Sequence, residues 1–143
     1  ENTFATLLKM GCIPIVNEND TVAFEEIQFG DNDTLSAYVS LMCHANVLII
    51  LSDIDGLYDR DPHKNAQAKL ISTVEKIDDT IIGYAGGVGS NRGTGGLITK
   101  LHAAQIATEN GIPMFIVNGK DPEILYELYE GRHIGTYFKV NNI

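Results

Sequence analysis

Positive charge, cysteine and long apolar stretches are what this sequence has least of. Its 143 residues carry 10 Lys and Arg against 19 Asp and Glu, a formal net charge of −9. Binding a polyanion such as DNA relies on a basic face that displaces counterions, so no nucleic-acid partner is expected. A small anion is a different matter, because a few local lysines and backbone amides hold a phosphate whatever the overall charge. Only two cysteines occur, Cys12 and Cys43, with neither Cys-x-x-Cys spacing nor a histidine at metal-site spacing. The expectation is two reduced, mostly buried thiols in a cytoplasmic protein. The longest apolar run, residues 47–51, falls far short of the roughly 20 residues that cross a bilayer, so no membrane association is expected. No basic segment leading into an apolar one opens the chain, so a secretory leader is not expected. The chain also opens without Met, and residues 4–10 read as a helix already under way, which suggests a piece of a longer protein. The histidines His44, His63, His102 and His133 share no helical face and no base–nucleophile constellation, and are expected to be structural or exposed.

The apolar fraction, 44%, is enough to build the core of one globular domain. Strand-like and helix-like segments alternate, which points to an α/β fold with a largely parallel sheet. Gly11 closes the opening helix, and Ile13-Pro14-Ile15-Val16 reads as a short strand. Residues 26–29 suggest an edge strand. Behind Gly30-Asp31-Asn32-Asp33-Thr34 a helix is expected, with Leu35, Tyr38, Val39 and Met42 along its apolar face at i, i+3, i+4 and i+7. Val47-Leu48-Ile49-Ile50-Leu51 has the continuous apolar character of a parallel strand buried on both faces. Residues 59–65 form a charged surface turn, residues 70–74 a short strand and residues 78–84 a brief helix. A glycine-dense loop over residues 83–96 feeds a helix over 97–109 that Gly111 caps, and residues 113–117 form the next strand. Asp121-Pro122-Glu123 starts a helix with Asp at the N-cap and Pro at N1. Residues 136–138 supply a last strand.

In an open α/β sheet, ligands bind beyond the carboxyl ends of the strands. Three polar clusters sit at or near such ends: Asn17-Glu18-Asn19-Asp20, Gly30-Asp31-Asn32-Asp33 and Ser52-Asp53-Ile54-Asp55-Gly56. Each fits a plain Asx turn or cap as well as a ligand site. Two carboxylates in the second cluster suit Mg²⁺, a substrate ammonium group or a lysine. The fourth feature, Gly93-Thr94-Gly95-Gly96-Leu97-Ile98-Thr99-Lys100, runs into a helix. Its glycines let the backbone approach a ligand, the helix start aims free amides there, and Lys100 adds a point charge. Such a site fits phosphate oxygens, although a flexible surface loop ending in a solvated lysine fits the same pattern. The spacing is neither that of a P-loop nor that of the dinucleotide fingerprint. Asn118-Gly119-Lys120 reads as a plain turn, with a part in ligand contact left open.

Taken together and in order, these four motifs, with Leu57-Tyr58 after the third and Leu35-Ser36-Ala37 after the second, resemble the amino-acid kinase superfamily. The likeness runs collinearly over about residues 4–138. The Asp-Gly-Leu-Tyr stretch and the Gly-Thr-Gly-Gly…Thr-Lys loop are similar to the whole superfamily, whereas Asn-Glu-Asn-Asp and Gly-Asp-Asn-Asp resemble its glutamate 5-kinase branch. The resemblance implies a three-layer αβα sandwich with a mainly parallel sheet. Residues 1–143 would be the nucleotide- and substrate-binding portion of a single kinase domain whose amino-terminal half is absent. It implies transfer of the γ-phosphoryl group of ATP, bound with Mg²⁺, to the side-chain carboxylate of L-glutamate as the first step of proline biosynthesis. Carried over by position, Lys100 and Asp33 are catalytic, and Asp20, Asn32, Asn17 and Asp31 bind glutamate. Ser52, Asp53, Thr94, Gly95, Gly96, Leu97, Ile98, Thr99 and Lys100 bind ATP, and no residue is expected to ligate a metal directly. Ser52 stands where the family often has Thr, which keeps the hydroxyl. Proline as a feedback inhibitor and a homo-oligomeric state are family expectations. The family's first strand, with its lysine, glycine turn and serine, is not in this sequence, so this segment alone is expected to be inactive. The alternatives are an N-acetylglutamate or aspartate kinase and a non-catalytic nucleotide-binding regulatory module.

Overall fold

A computed structural model of the chain describes residues 2–18, 32–86 and 95–140. The elements run α1 (Asn2–Lys9), α2 (Asn32–Met42), β1 (Leu48–Ser52), β2 (Thr73–Val74), α3 (Asp79–Tyr84), α4 (Gly95–Glu109), β3 (Met114–Asn118), α5 (Ile124–Tyr129) and β4 (Thr136–Phe138). The four strands form one sheet in the order β1-β3-β4-β2. β1 pairs parallel with β3 and β2 parallel with β4, while β3 and β4 run antiparallel. The sheet is therefore mixed, parallel in two of its three pairings.

Alternation along the strands sends one set of side chains to a common face. Leu48 and Ile50 of β1, Met114 and Ile116 of β3 and Phe138 of β4 lie in register there and are buried. α2 and α4 pack against each other and against β1 and β3. The opposite face carries the Phe115 and Tyr137 rings at 4.8 Å. Leu51 remains 45% exposed on this chain and Val47 38%. Residues 47–51 thus form the expected strand but are not buried on both faces, because the covering helices lie over the Leu48–Ile50 side.

α2 corrects a second expectation. Its buried residues are Thr34, Ala37 and Ser40, whereas Leu35, Val39 and Met42 are half-buried and Tyr38 is exposed. The reason lies on α4. Thr99 and His102 of that helix both bond to α2 residues, and Ala103, fully buried, shares their face by helical spacing. Two helices meeting through Thr, Ala and Ser side chains approach closely, and bulky residues are displaced to the flanks of the seam.

Residues 13–16 belong to no strand. Ile13 is 90% exposed and Ile15 98%, since among the described residues no sheet edge offers them a ladder, and strand propensity without a pairing partner does not make a strand. Nor are the cysteines buried: Cys12 is exposed just beyond α1 and Cys43 is half-buried just beyond α2. Both thiols are free. Asp121 starts a turn rather than α5. Its carboxylate accepts the Glu123 amide at 3.0 Å and its carbonyl accepts the Ile124 amide at 3.3 Å, so the α-helix begins at Ile124 behind a tight lead-in. Asp78, by contrast, caps α3 through the Ile81 amide at 3.0 Å. The edge strand expected at residues 26–29 lies outside the described residues.

Four helix ends, those of α1, α2, α4 and α5, close by the same device. The amide of the third residue past the helix bonds back across the last turn, as in Ile112 N to Ala107 O at 2.9 Å and Ala45 N to Ser40 O at 2.9 Å. This closure needs a left-handed residue before it. After α4 that residue is Gly111 (φ 82°), but after α2 it is His44 (φ 51°).

Candidate active site

Helix α2 returns to the sheet as β1 through residues 43–47 alone, and α4 as β3 through residues 110–113. Connections this short turn each helix antiparallel to its strand. The amino ends of α2 and α4 therefore stand on the same side of the sheet as the carboxyl ends of β1 and β3. Anion-favouring helix ends and strand-end loops share one rim.

At the paired helix starts, Asp33 in the first turn of α2 accepts two hydrogen bonds on one carboxylate oxygen. Lys100 Nζ donates to Oδ2 at 3.0 Å and Thr99 Oγ1 at 2.7 Å. The Lys100 and Asp33 side chains are only 15% and 18% exposed, so the pair is shielded from solvent screening. Lys100 Nζ also donates to Gly96 O at 3.3 Å, and the single Thr99 hydroxyl hydrogen is shared between Asp33 and this same oxygen, 2.9 Å away. A methyl group added at Gly96 would meet nothing within 4 Å among the described residues. A fixed cation, a hydroxyl and a helix amino end placed together can stabilise negative charge on a phosphoryl oxygen.

A second locus lies at the carboxyl ends of β1 and β3. Leu51, Ser52, Asp53, Asn118, Gly119 and Lys120 line an open cleft of about 480 Å³. Ser52 Oγ donates to Asp53 Oδ1 at 3.1 Å, and the Gly119 amide donates to Ser52 O at 2.7 Å. A Cβ at Gly119 would stand 2.9 Å from that of Leu51, so glycine is what allows the two walls to close at this point. Asn118 Nδ2 donates to Asp55 Oδ1 at 2.8 Å, Tyr58 OH to Asp55 Oδ2 at 3.1 Å, and the Lys120 amide to Asn118 Oδ1 at 3.0 Å. Burial, then the hydrogen bond to Asp55 and its charge, hold the Tyr58 phenol above its ordinary pKa.

The structure brings Asp33, Gly96, Thr99 and Lys100 into one cluster, and Ser52 and Asp53 into one cleft. Asn32 is exposed as the first residue of α2, and Gly95 is the first residue of α4. Leu97 packs against the core while Ile98 is 43% exposed, so these two offer backbone rather than side chain. Asn17 is exposed on the extended segment after α1. Asp20, Asp31 and Thr94 lie outside the described residues. Asn118, Gly119 and Lys120, read as a plain turn, line the cleft instead. The signal was available, because they are the polar residues that follow a buried strand, as Ser52 and Asp53 do. Of the histidines, His102 links to Thr34 Oγ1 at 3.4 Å between α4 and α2, and His44, His63 and His133 are exposed. Among the described residues no group of three or more His, Cys, Asp or Glu is placed to hold a metal ion.

A model of the amino acid kinase family matches residues 1–118. Among curated proteins, the chain is 57% identical over 141 residues to the glutamate 5-kinase of Clostridium perfringens, covering 96% of this chain and 52% of that one. It is 56% identical to that of Clostridium tetani (96% and 51%) and 52% identical to that of Geobacter sulfurreducens (95% and 36%). The chain thus spans about half the length of the first of these relatives and less of the last. Among solved structures, UMP kinase from Ureaplasma parvum superposes with a TM-score of 0.65 at 18% identity, over 96% of this chain and 52% of that one. UMP kinase from Bacillus anthracis gives 0.60 at 17%, over 82% and 44%. At such identities these two carry the fold.

Proposed function

Since this chain belongs to the amino acid kinase family, we propose that the protein carrying it transfers the γ-phosphoryl group of ATP to the side-chain carboxylate of L-glutamate, giving L-glutamyl 5-phosphate. The observation that carries this reading is the Lys100–Asp33–Thr99 cluster at the joined amino ends of α2 and α4. Similarity to glutamate 5-kinases supports the choice of substrate.

A carboxylate with an ordinary pKa of about 4.3 is ionised at neutral pH, so no general base is required. Its oxygen bonds to the γ-phosphorus as the bond from phosphorus to the β–γ bridging oxygen breaks, and ADP leaves with that electron pair. The work left to the protein is alignment of two anions and stabilisation of charge on the transferring group. Lys100 faces those oxygens, Asp33 and the Gly96 carbonyl fix its ammonium, and the first amides of α4, with Thr94 and Thr99, hold the phosphates. Ser52 and Asp53 contact the nucleoside in the cleft they share with Asn118, Gly119 and Lys120. Asp20, Asn32, Asn17 and Asp31 bind glutamate. Mg²⁺ brought with the nucleotide would supply further charge neutralisation, and no residue of this chain is assigned to ligate it. Proline as an inhibitor, a homo-oligomeric assembly and a cytoplasmic setting belong to the same reading. No helix among the described residues is long and apolar enough to cross a membrane.

The test is ATP-dependent acyl-phosphate formation by the complete protein, trapped as the hydroxamate. Glutamate is expected to turn over well ahead of aspartate and N-acetylglutamate. Equal turnover would overturn the substrate, and ATP binding without turnover would favour a regulatory module.

A further inference from the structure

Asp55 lines neither the cleft nor the Lys100 cluster, yet its carboxylate joins the cleft's two walls. One wall is the end of β1 with the loop that follows it, the other the end of β3. Between them run the backbone pairing of Ser52 with Asn118 and the Gly119 amide bond to Ser52 O. Beyond that point only side chains connect them. Asp55 Oδ1 takes the Asn118 amide at 2.8 Å and Oδ2 takes the Tyr58 hydroxyl at 3.1 Å, so each oxygen is committed to a different donor. Asn118 in turn has its amide nitrogen directed to Asp55 and its oxygen held by the Lys120 backbone amide at 3.0 Å. Donation in the chain Tyr58–Asp55–Asn118–Lys120 therefore converges on Asp55, from Tyr58 on one side and from Lys120 through Asn118 on the other. Reversing the Asn118 amide would set its oxygen against a carboxylate and its NH₂ against a backbone N–H. Tyr58 is itself anchored, by a bridge to Leu70.

We propose that Asp55 is a positioning residue that clamps the Asn118-Gly119-Lys120 wall to the Ser52–Asp53 loop and so sets the width of the cleft. The inference rests on the nucleotide reading of that cleft for its kinetic consequence, though not for the clamp itself. Charge-assisted bonds of this kind outrank neutral ones, and the loop after β3 has no other side-chain tie to the β1 side among the bonds described. Losing the clamp frees the Asn118 side chain and Lys120 relative to the loop of Asp53 and Asp55, while the backbone pairing of Ser52 with Asn118 and the Lys100–Asp33 pair between α4 and α2 stay in place. The expected defect is in nucleotide binding rather than in the phosphoryl-transfer step.

The test is an exchange of the two partners in the complete protein. Asn118→Asp faces one carboxylate with another and is expected to raise KM for ATP by about tenfold or more, with the larger share of the loss in KM rather than kcat. Asp55→Asn with Asn118→Asp restores every donor–acceptor pair at unchanged net charge. Asn at 55 donates to Asp at 118 and accepts from Tyr58, while Asp at 118 accepts from Lys120. KM for ATP is expected to return to within about twofold of the parent, a non-additivity that a merely structural role would not produce. The clamp is read apart from any ligand by hydrogen exchange of the Lys120 amide, expected to speed up in Asn118→Asp and to recover in the double variant. Slower or unchanged exchange, or failure of the double variant to recover, overturns the clamp. Recovered exchange in a protein that shows no ATP saturation supports the clamp and overturns the nucleotide reading instead.

Discussion

Lys100 is held by Asp33 and the Gly96 carbonyl, contacts within the protein that fix its ammonium. Preorganised charge acts on the transition state without reorganisation at the moment of reaction. Replacing Lys100 with Met keeps the stem and removes the charge, and kcat for phosphoryl transfer is expected to fall by about 10²-fold or more in steady-state assays. Thr136 shows what a single hydroxyl does for the fold. Fully buried, it accepts from the Leu57 amide at 2.8 Å and donates to Ile71 O at 2.7 Å. Thr136→Val keeps the shape but strands both partners, and a loss of about 1–3 kcal/mol is expected in urea unfolding. Asp59 is held below the usual carboxylate range first by the Lys69 amide and then by the Arg60 side chain. A carboxylate depressed in the folded state stabilises it above the unfolded pKa and ceases to do so as pH falls through the folded one. The tie between residues 59 and 69 is therefore expected to weaken below about pH 4, read as faster cleavage there by an acid protease. Asp59→Asn should abolish that dependence.

Helix ends supply the clearest prediction at the scale of elements. His44 takes a left-handed conformation (φ 51°) at the close of α2, where α4 has Gly111 (φ 82°). His44→Gly is expected to stabilise the protein by about 0.5–1 kcal/mol, and Gly111→Ala to destabilise it by a similar amount, both by chemical denaturation. Elements were legible where pattern and local chemistry agreed: β1, β3 and β4 within a residue of their apolar runs, α4 from its glycine entry and Gly111, and α3 from Asp78. They were less so where a neighbour decides. Period 3.6 alone put Leu35, Tyr38, Val39 and Met42 of α2 inside, but the close approach of α4 selects the small residues Thr34, Ala37 and Ser40. Residues 13–16 have strand chemistry and no ladder. In the site, Lys100 and Asp33 stood out as charges beside helix starts. Asn118 to Lys120 leaned toward a plain turn because a polar triplet after a strand looks the same whether or not a second wall faces it.

For the whole molecule, the division of labour is between two helices that position charge and two strand ends that form a cleft. Charge variants at the helices should change turnover, and variants of the Asp55–Asn118 clamp should change nucleotide affinity. The seam between α2 and α4 fixes the first of these. Ala103→Leu forces the helices apart, and a stability loss of about 1–3 kcal/mol is expected together with a lower kcat, since Asp33 no longer meets Lys100. A seam of Thr, Ala and Ser also has almost no side chain to delete. Truncation at Ala37, Ser40 or Ala103 removes little and should go unnoticed, unlike loss of the Thr99 hydroxyl, whereas each added methylene is felt. An alanine scan would pass over these three positions, which space Lys100 from Asp33, and a sequence drifting through small residues could wander freely there. Only growth is forbidden, so the tolerance of this face to mutation is one-sided.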